Sequence, residues 1–189
     1  MADIETLHEA LEILVAEHRV IRRVLALLMD IADEAVDGAD VDADVLRDGI
    51  DFLRQFADAR HHGKEEDILF AEARSLDVAA GGLIEEMMAE HVDARGRVSA
   101  LEFAVQDYAD GHGDAAAALA DAVADVDLLY QEHIEKEDRL LFPMLQEVLQ
   151  PGQLDQLLLS FRKADARTGA GFTAATVRLR EAIGGPGTA

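Results

Sequence analysis

Cysteine is absent from this chain of 189 residues. Its absence excludes disulfides, thiolate nucleophiles and thiolate-held metals. Tryptophan is also missing, aromatics make up only 5% of residues, and β-branched residues are sparse beside Ala, Leu, Glu and Asp. That mix favours helices packed on helices. Only three prolines occur, and Pro143 alone falls inside a strongly helical stretch. Positive charge is scarce: 17 basic residues face 39 acidic ones, for a net charge of −22. With no basic stripe to release counterions, nucleic acid and anionic membranes are excluded as partners. No run approaches the ~20 apolar residues of a membrane span. The first residues are acidic and amphipathic rather than basic then apolar, which argues against a signal peptide. The expectation is a soluble, cytoplasmic protein with one sizeable core.

What is present is a clean helical rhythm. Leu7, Leu11, Leu14, His18, Ile21, Leu25 and Leu28 recur at alternating steps of four and three. Ile84, Met87, His91, Ala94, Val98, Leu101, Val105 and Tyr108 do the same, as do Leu119, Val123, Val126, Tyr130, His133, Glu137, Leu140 and Met144. A less regular segment, roughly 43 to 73, carries Leu46, Ile50, Leu53, Ala57, Ile68 and Leu69. Such stripes face a shared interior. The breaks "VDGADVD", "RSLDVAAGG" and "ADGHGDA" separate the segments. Short connections between long helices predict an all-α, up-down-up-down four-helix bundle, with one or two additional short C-terminal helices. The expected organisation is a bundle over residues 1–150, ended by Pro151 and Gly152, then a helical extension over 151–183 and a flexible tail over 184–189.

His18, His91 and His133 each stand where the stripe otherwise places an apolar residue. If two antiparallel helices carry residues at one height, the turn lies midway between them in sequence. The midpoint of His18 and His61 falls between Ala39 and Asp40, that of His61 and His91 at Leu76, and that of His91 and His133 at His112. All three lie in the breaks. Four histidines, one per helix, are therefore expected at one level.

Two acids join them. "HHGKEEDILF" and "EHIEKEDRLLF" each place a glutamate four residues after a histidine, Glu65 after His61 and Glu137 after His133. One helical turn puts each pair on a common face. Burying four imidazoles and two carboxylates without a cation carries a severe desolvation penalty. Imidazole nitrogen with bridging carboxylate suits iron, and less well manganese or zinc. Six ligands fit two ions better than one. The repeat is wider than these strings, because "AEHRVIR" around His18 is echoed by "AEHVDAR" around His91. Each half then supplies one ion's histidines and one bridging carboxylate, in a pseudo-two-fold site.

"EHRVIRRVL", "HHGKEEDILF", "EHVDARGRV" and "HIEKEDRLLFP" resemble the four ligand-bearing helices of the hemerythrin-like, or HHE cation-binding, family, in order over roughly residues 4 to 149. The resemblance implies a four-helix bundle around a non-heme di-iron centre bridged by carboxylates and an oxo or hydroxo group. It implies His18, His61, Glu65, His91, His133 and Glu137 as ligands, with no catalytic residue beyond the metal centre. Oxygen-carrying hemerythrins have a second histidine on the third helix, four residues after the first, and a bridging aspartate five after the fourth helix's histidine. Here the first place holds Arg95, and Glu137 at a spacing of four takes the second role. The loss of that imidazole leaves more than one exchangeable position, which turns the expectation from oxygen carriage toward peroxide or other redox chemistry.

Around these ligands, His62 is an alternative to His61, being four residues before Glu66; the match of Glu65 and Phe70 with Glu137 and Phe142 favours His61. Glu66 and Asp138 either orient ligand histidines or face water. Arg22 and Arg95, matched between the halves, either neutralise buried carboxylates or snorkel at the stripe's edge. Tyr130 either hydrogen-bonds bound oxygen, or supplies a phenolate, or simply packs, and packing is the simpler reading. His8 and His112 read as surface residues, Phe70 and Phe142 as core. The chain is expected to react with O2, H2O2 or NO, with catalase-like peroxide turnover as the most concrete activity. An oxygen- or iron-sensing module without turnover is the alternative, and a structural metal site the third.

Overall fold

The computed structural model describes residues 7–75 and 80–168, and among these every regular element is a helix. The C-terminal stretch "AATVRLREAI" and the tail lie outside the described residues. No helix among those described is long and apolar enough to cross a membrane.

The first rod is α1, Glu9–Val36. The His8 ring accepts the Ala10 N–H at its start, and Glu9 and Glu12 place negative charge at the positive end of the helix dipole. It ends before Gly38, whose φ of 89° suits a residue without Cβ. The second rod begins as α2, Ala43–Phe52, capped by the Asp42 carboxylate accepting the Asp44 N–H. It continues through π-helical turns at Leu53–His62 and Glu65–Leu69 into α3, Phe70–Ser75. The third rod is α4, Gly81–Ala109. The fourth is α5, Ala115–Lys136, which passes through a π-helical turn at Glu137–Leu141 into α6, Phe142–Val148. Finally α7, Pro151–Thr168, packs across α1 and the π-helical part of the second rod. Pro151 opens α7 rather than merely closing the preceding helix, since a first-turn N–H has no helical acceptor to lose.

The π-helical turns follow the sequence repeat. Phe70 N–H donates to Glu65 C=O, and Phe142 N–H donates to Glu137 C=O, each five residues back. Pro143 lacks an N–H and relieves the second turn of one α-helical bond, but Ala71 stands in the equivalent place of the first. Proline is therefore not the common cause; the common feature is the site these turns carry. The extra residue per turn also shifts the stripe. Leu140 and Met144, expected inward, are exposed, and Leu141, Phe142 and Leu145 are buried in their stead.

Two apolar clusters lie one on each side of a polar stratum. One gathers Ile21–Ala35 from α1, Leu46–Ala57, Ala94–Val105 and Leu119–Ile134, and Gly49 lets α2 approach Leu28 so closely that a Cβ would sit 2.5 Å from Cδ2. The other gathers Ala10, Leu11 and Leu14 with Leu69, Phe70, Ile84, Met87, Leu141, Phe142 and Leu145, and is closed by Leu154, Leu157, Leu158 and Phe161 of α7. Each fully buried Leu or Phe contributes about 2 kcal/mol. The buried polar residues at this level include the histidines and glutamates singled out by the sequence, together with Glu17 and Lys64.

Candidate metal centre

His18, His61, His91 and His133 are all buried and meet in two pairs. His18 Nε2 lies 3.0 Å from His61 Nε2, and His91 Nε2 lies 3.2 Å from His133 Nε2. Behind each ring stands a carboxylate on a neighbouring rod. His18 Nδ1 is 2.7 Å from Asp138, His61 Nδ1 is 3.1 Å from Glu17, His91 Nδ1 is 2.8 Å from Glu66, and His133 Nδ1 is 2.9 Å from Glu90. A carboxylate on Nδ1 fixes the proton there and turns the Nε2 lone pair inward, the arrangement found behind metal-bound histidines.

Facing lone pairs repel unless something positive lies between them. A proton on His18 can serve one pair: burial opposes it, yet Asp138 and Glu137 lift this imidazole to about 9. Burial and the surrounding imidazoles hold His91 far below the ordinary range. Burial and His18 likewise depress His61.

Glu65 and Glu137 bind the two pairs together. Glu65 Oε1 is 3.4 Å from His61 Nε2 and its Oε2 3.5 Å from His91 Nε2; Glu137 Oε2 is 3.1 Å from His18 Nε2 and 3.4 Å from His133 Nε2. Each carboxylate thus spans from one pair to the other. None of their four oxygens has a hydrogen-bond partner, and a buried carboxylate in that state fits a cation as its partner. Burial, with the Glu137 charge beside it, pushes Glu65 well above the usual carboxylate range. Glu137 is equally buried, but His133 and His18 hold it down to about 2. The donor atoms form two groups close enough to hold an ion each: His18, His61, Glu65 and Glu137; and His62, Glu65, His91 and His133. Imidazole with carboxylate, and no sulfur, suits borderline divalent and trivalent metals such as iron.

The remaining predicted residues divide. His62 is buried beside His61 rather than replacing it, and its ring stacks on His91 at 3.9 Å. Arg95 points outward, 41% exposed, and donates to Asp58 and Glu66, not to the buried Glu65 and Glu137. Arg22 is exposed and makes no ion pair among the described residues, so the expected equivalence of the two arginines does not hold. Asp138 already lies against His18 without an arginine, which leaves Arg22 no such task. Tyr130 is buried and stacks near His62 at 5.9 Å, with burial raising its hydroxyl pKa. Phe142 stacks on His18 at 5.7 Å and Phe70 on His91 at 6.0 Å. His8 caps α1, and His112 is exposed.

Glu17 and Glu90 escaped the sequence reading, although "AEH" written twice carried the signal. So did Lys64 and Lys136, each directly before a buried glutamate. Lys64 Nζ donates to Glu17 at 2.5 Å and to Asp165 of α7 at 3.0 Å, and Arg60 joins the same two carboxylates. Lys136 donates to Glu90 and, at 2.7 Å, to Glu86.

Helices that carry buried imidazoles backed by carboxylates, around two glutamates shared between the pairs, define a non-heme metal-binding helical protein. The comparison with protein families is more specific. Residues 9–145 match the hemerythrin HHE cation binding domain. The chain belongs to that family, and its domain is a metal-cation-binding one. Comparisons with curated proteins and with solved structures find no match.

Proposed function

We propose that this domain holds two iron ions and reacts with a small oxidant or ligand, O2, H2O2 or NO, with catalase-like disproportionation of hydrogen peroxide to water and dioxygen as its most concrete activity. One observation carries the reading: two facing pairs of Nε2 atoms, every Nδ1 tied to a carboxylate, with Glu65 and Glu137 spanning the pairs without a hydrogen-bond partner. The ligands are His18, His61, Glu65, His91, His133 and Glu137. Iron fits this donor set better than manganese or zinc, and when bound it supplies Lewis acidity and redox equivalents.

The chain's own part is positional. Asp138, Glu17, Glu66 and Glu90 hold the imidazoles in one tautomer and orientation. Phe70, Phe142 and the two apolar clusters exclude bulk water. The rods are proposed to run up-down-up-down. The alternation of rod ends supports this, since the C-terminal parts of the first and third rods share a core with the N-terminal parts of the second and fourth. The proposed organisation is a metal domain over residues 1–150 and a C-terminal extension over 151–183, of which 151–168 pack on the bundle, in a protein proposed to be cytoplasmic.

One observation favours a second reading, a module that binds or senses oxygen or iron without turnover. The four paired imidazoles already have both nitrogens committed, so none is free to shuttle protons. Oxygen evolution on adding peroxide to iron-loaded protein, abolished by His133→Ala, supports the enzyme. Reversible ligand binding with no evolved oxygen supports the module and removes the catalase activity.

A further inference from the structure

Arg95 stands where the oxygen carriers have a second histidine on the third helix, and that place is turned outward here. The space inward of it is not left without an imidazole. His62 is 1% exposed, and neither of its ring nitrogens has a hydrogen-bond partner. It belongs to the same close group of donors as Glu65, His91 and His133.

We propose that His62 is a fifth imidazole ligand, reaching from the second rod into the place vacated on the third, and that the two ions are therefore unequal. This rests on the two-iron reading above and specifies it. A carboxylate also stands behind His62, farther off than those behind the other four rings and outside hydrogen-bond geometry. Asp58 Oδ1 lies 3.5 Å from its Nδ1, which leaves Nε2 for the cluster. Arg95 donates to both Asp58 and Glu66, the carboxylates behind His62 and His91. The arginine that replaced a ligand thus positions the backing of two others. The π-helical turn ending at His62 explains how consecutive residues both contribute. On an α-helix neighbours lie about 100° apart, and the wider π turn brings the pair closer in angle.

The consequence concerns reactivity. One ion has His62, His91 and His133; the other has only His18 and His61, with Glu65 and Glu137 shared. The exchangeable position falls on the His18–His61 ion, the side that α7 covers. The imidazole counted as lost from the third helix is restored from the second, and a small ligand binds at one ion rather than across both.

Anaerobic titration of apo-protein with ferrous iron against a competing chelator tests this, with His62→Gln chosen to keep volume. Wild type binds two ions, and His62→Gln binds one as tightly and the other at least about 10-fold more weakly. Two wild-type affinities in the variant overturn the assignment while leaving the two-iron reading intact. A wild type that binds fewer than two ions overturns the reading itself. X-ray absorption of the iron-loaded wild type covers the case in which the variant does not fold. Five imidazoles shared between two ions support the assignment, and four overturn it.

Discussion

The half of the centre built on His18 and His61 and the half built on His91 and His133 share one plan around their paired imidazoles and differ in what surrounds it. Each has facing Nε2 atoms, a carboxylate behind each Nδ1, a stacked phenylalanine, and a lysine on the carboxylate behind one ring. In the first half that lysine, Lys64, is fully buried under α7, shared by Glu17 and Asp165, with its ammonium 5.7 Å from the Phe161 ring. In the second half Lys136 is 28% exposed and held by Glu86 and Glu90 of its neighbouring rod. The sequence repeat carries the paired ligands and the carboxylates behind them. The difference between the two lysines comes from α7, which covers only one of them.

Removing the metal challenges both halves at once and has the largest expected effect. If iron is bound about 1,000-fold above its dissociation constant, the stabilisation is about 4 kcal/mol, or about 10 °C in melting temperature. Calorimetry of loaded and chelated protein checks this. An unchanged melting temperature on chelation contradicts a bound metal. Next comes the buried lysine. Lys64→Met leaves Asp165 with Arg60, and Glu17 with Arg60 and the His61 ring, at a cost of about 3 kcal/mol. Denaturant unfolding of the apo-protein measures it without metal.

The carboxylates behind the rings sharpen the comparison further. Glu17→Gln and Glu90→Gln should each weaken one ion by about 10- to 100-fold, and a different ion in each variant. Loss of the same ion in both would refute the pairing of halves with ions. The smallest effect belongs to Lys136→Met. Its ion pairs lie near solvent, so unfolding free energy should change by less than ~1 kcal/mol. A loss as large as that of Lys64→Met would show that burial under α7 is not what separates them.

Much of this was legible in the chain. Histidines at stripe positions, placed evenly about the turns, marked the level of the site, and the repeated His-to-Glu spacing marked the shared carboxylates. What could not be read has definite physical causes. A helical stripe assumes a constant turn, so the π-helical insertion after Glu137 misplaced Leu140 and Met144, with Pro143 as the only hint. His62 follows His61 directly, and adjacent residues of an ordinary helix do not share a face. It ends a separate widened stretch, Leu53–His62. Glu17 and Glu90 precede their stripe positions by one residue and resemble solvated acids until the facing rod brings a ring to them. Lys64 and Lys136 occupy the same place in the repeat, and only the docking of α7 decides which is buried.

Elemental analysis of the purified, full-length protein, paired with its optical spectrum, addresses the central claim most directly. Two irons per chain with oxo-to-iron charge-transfer absorption in the near ultraviolet is the predicted result. A colourless, iron-free protein, or one retaining a single ion under saturating iron, contradicts it.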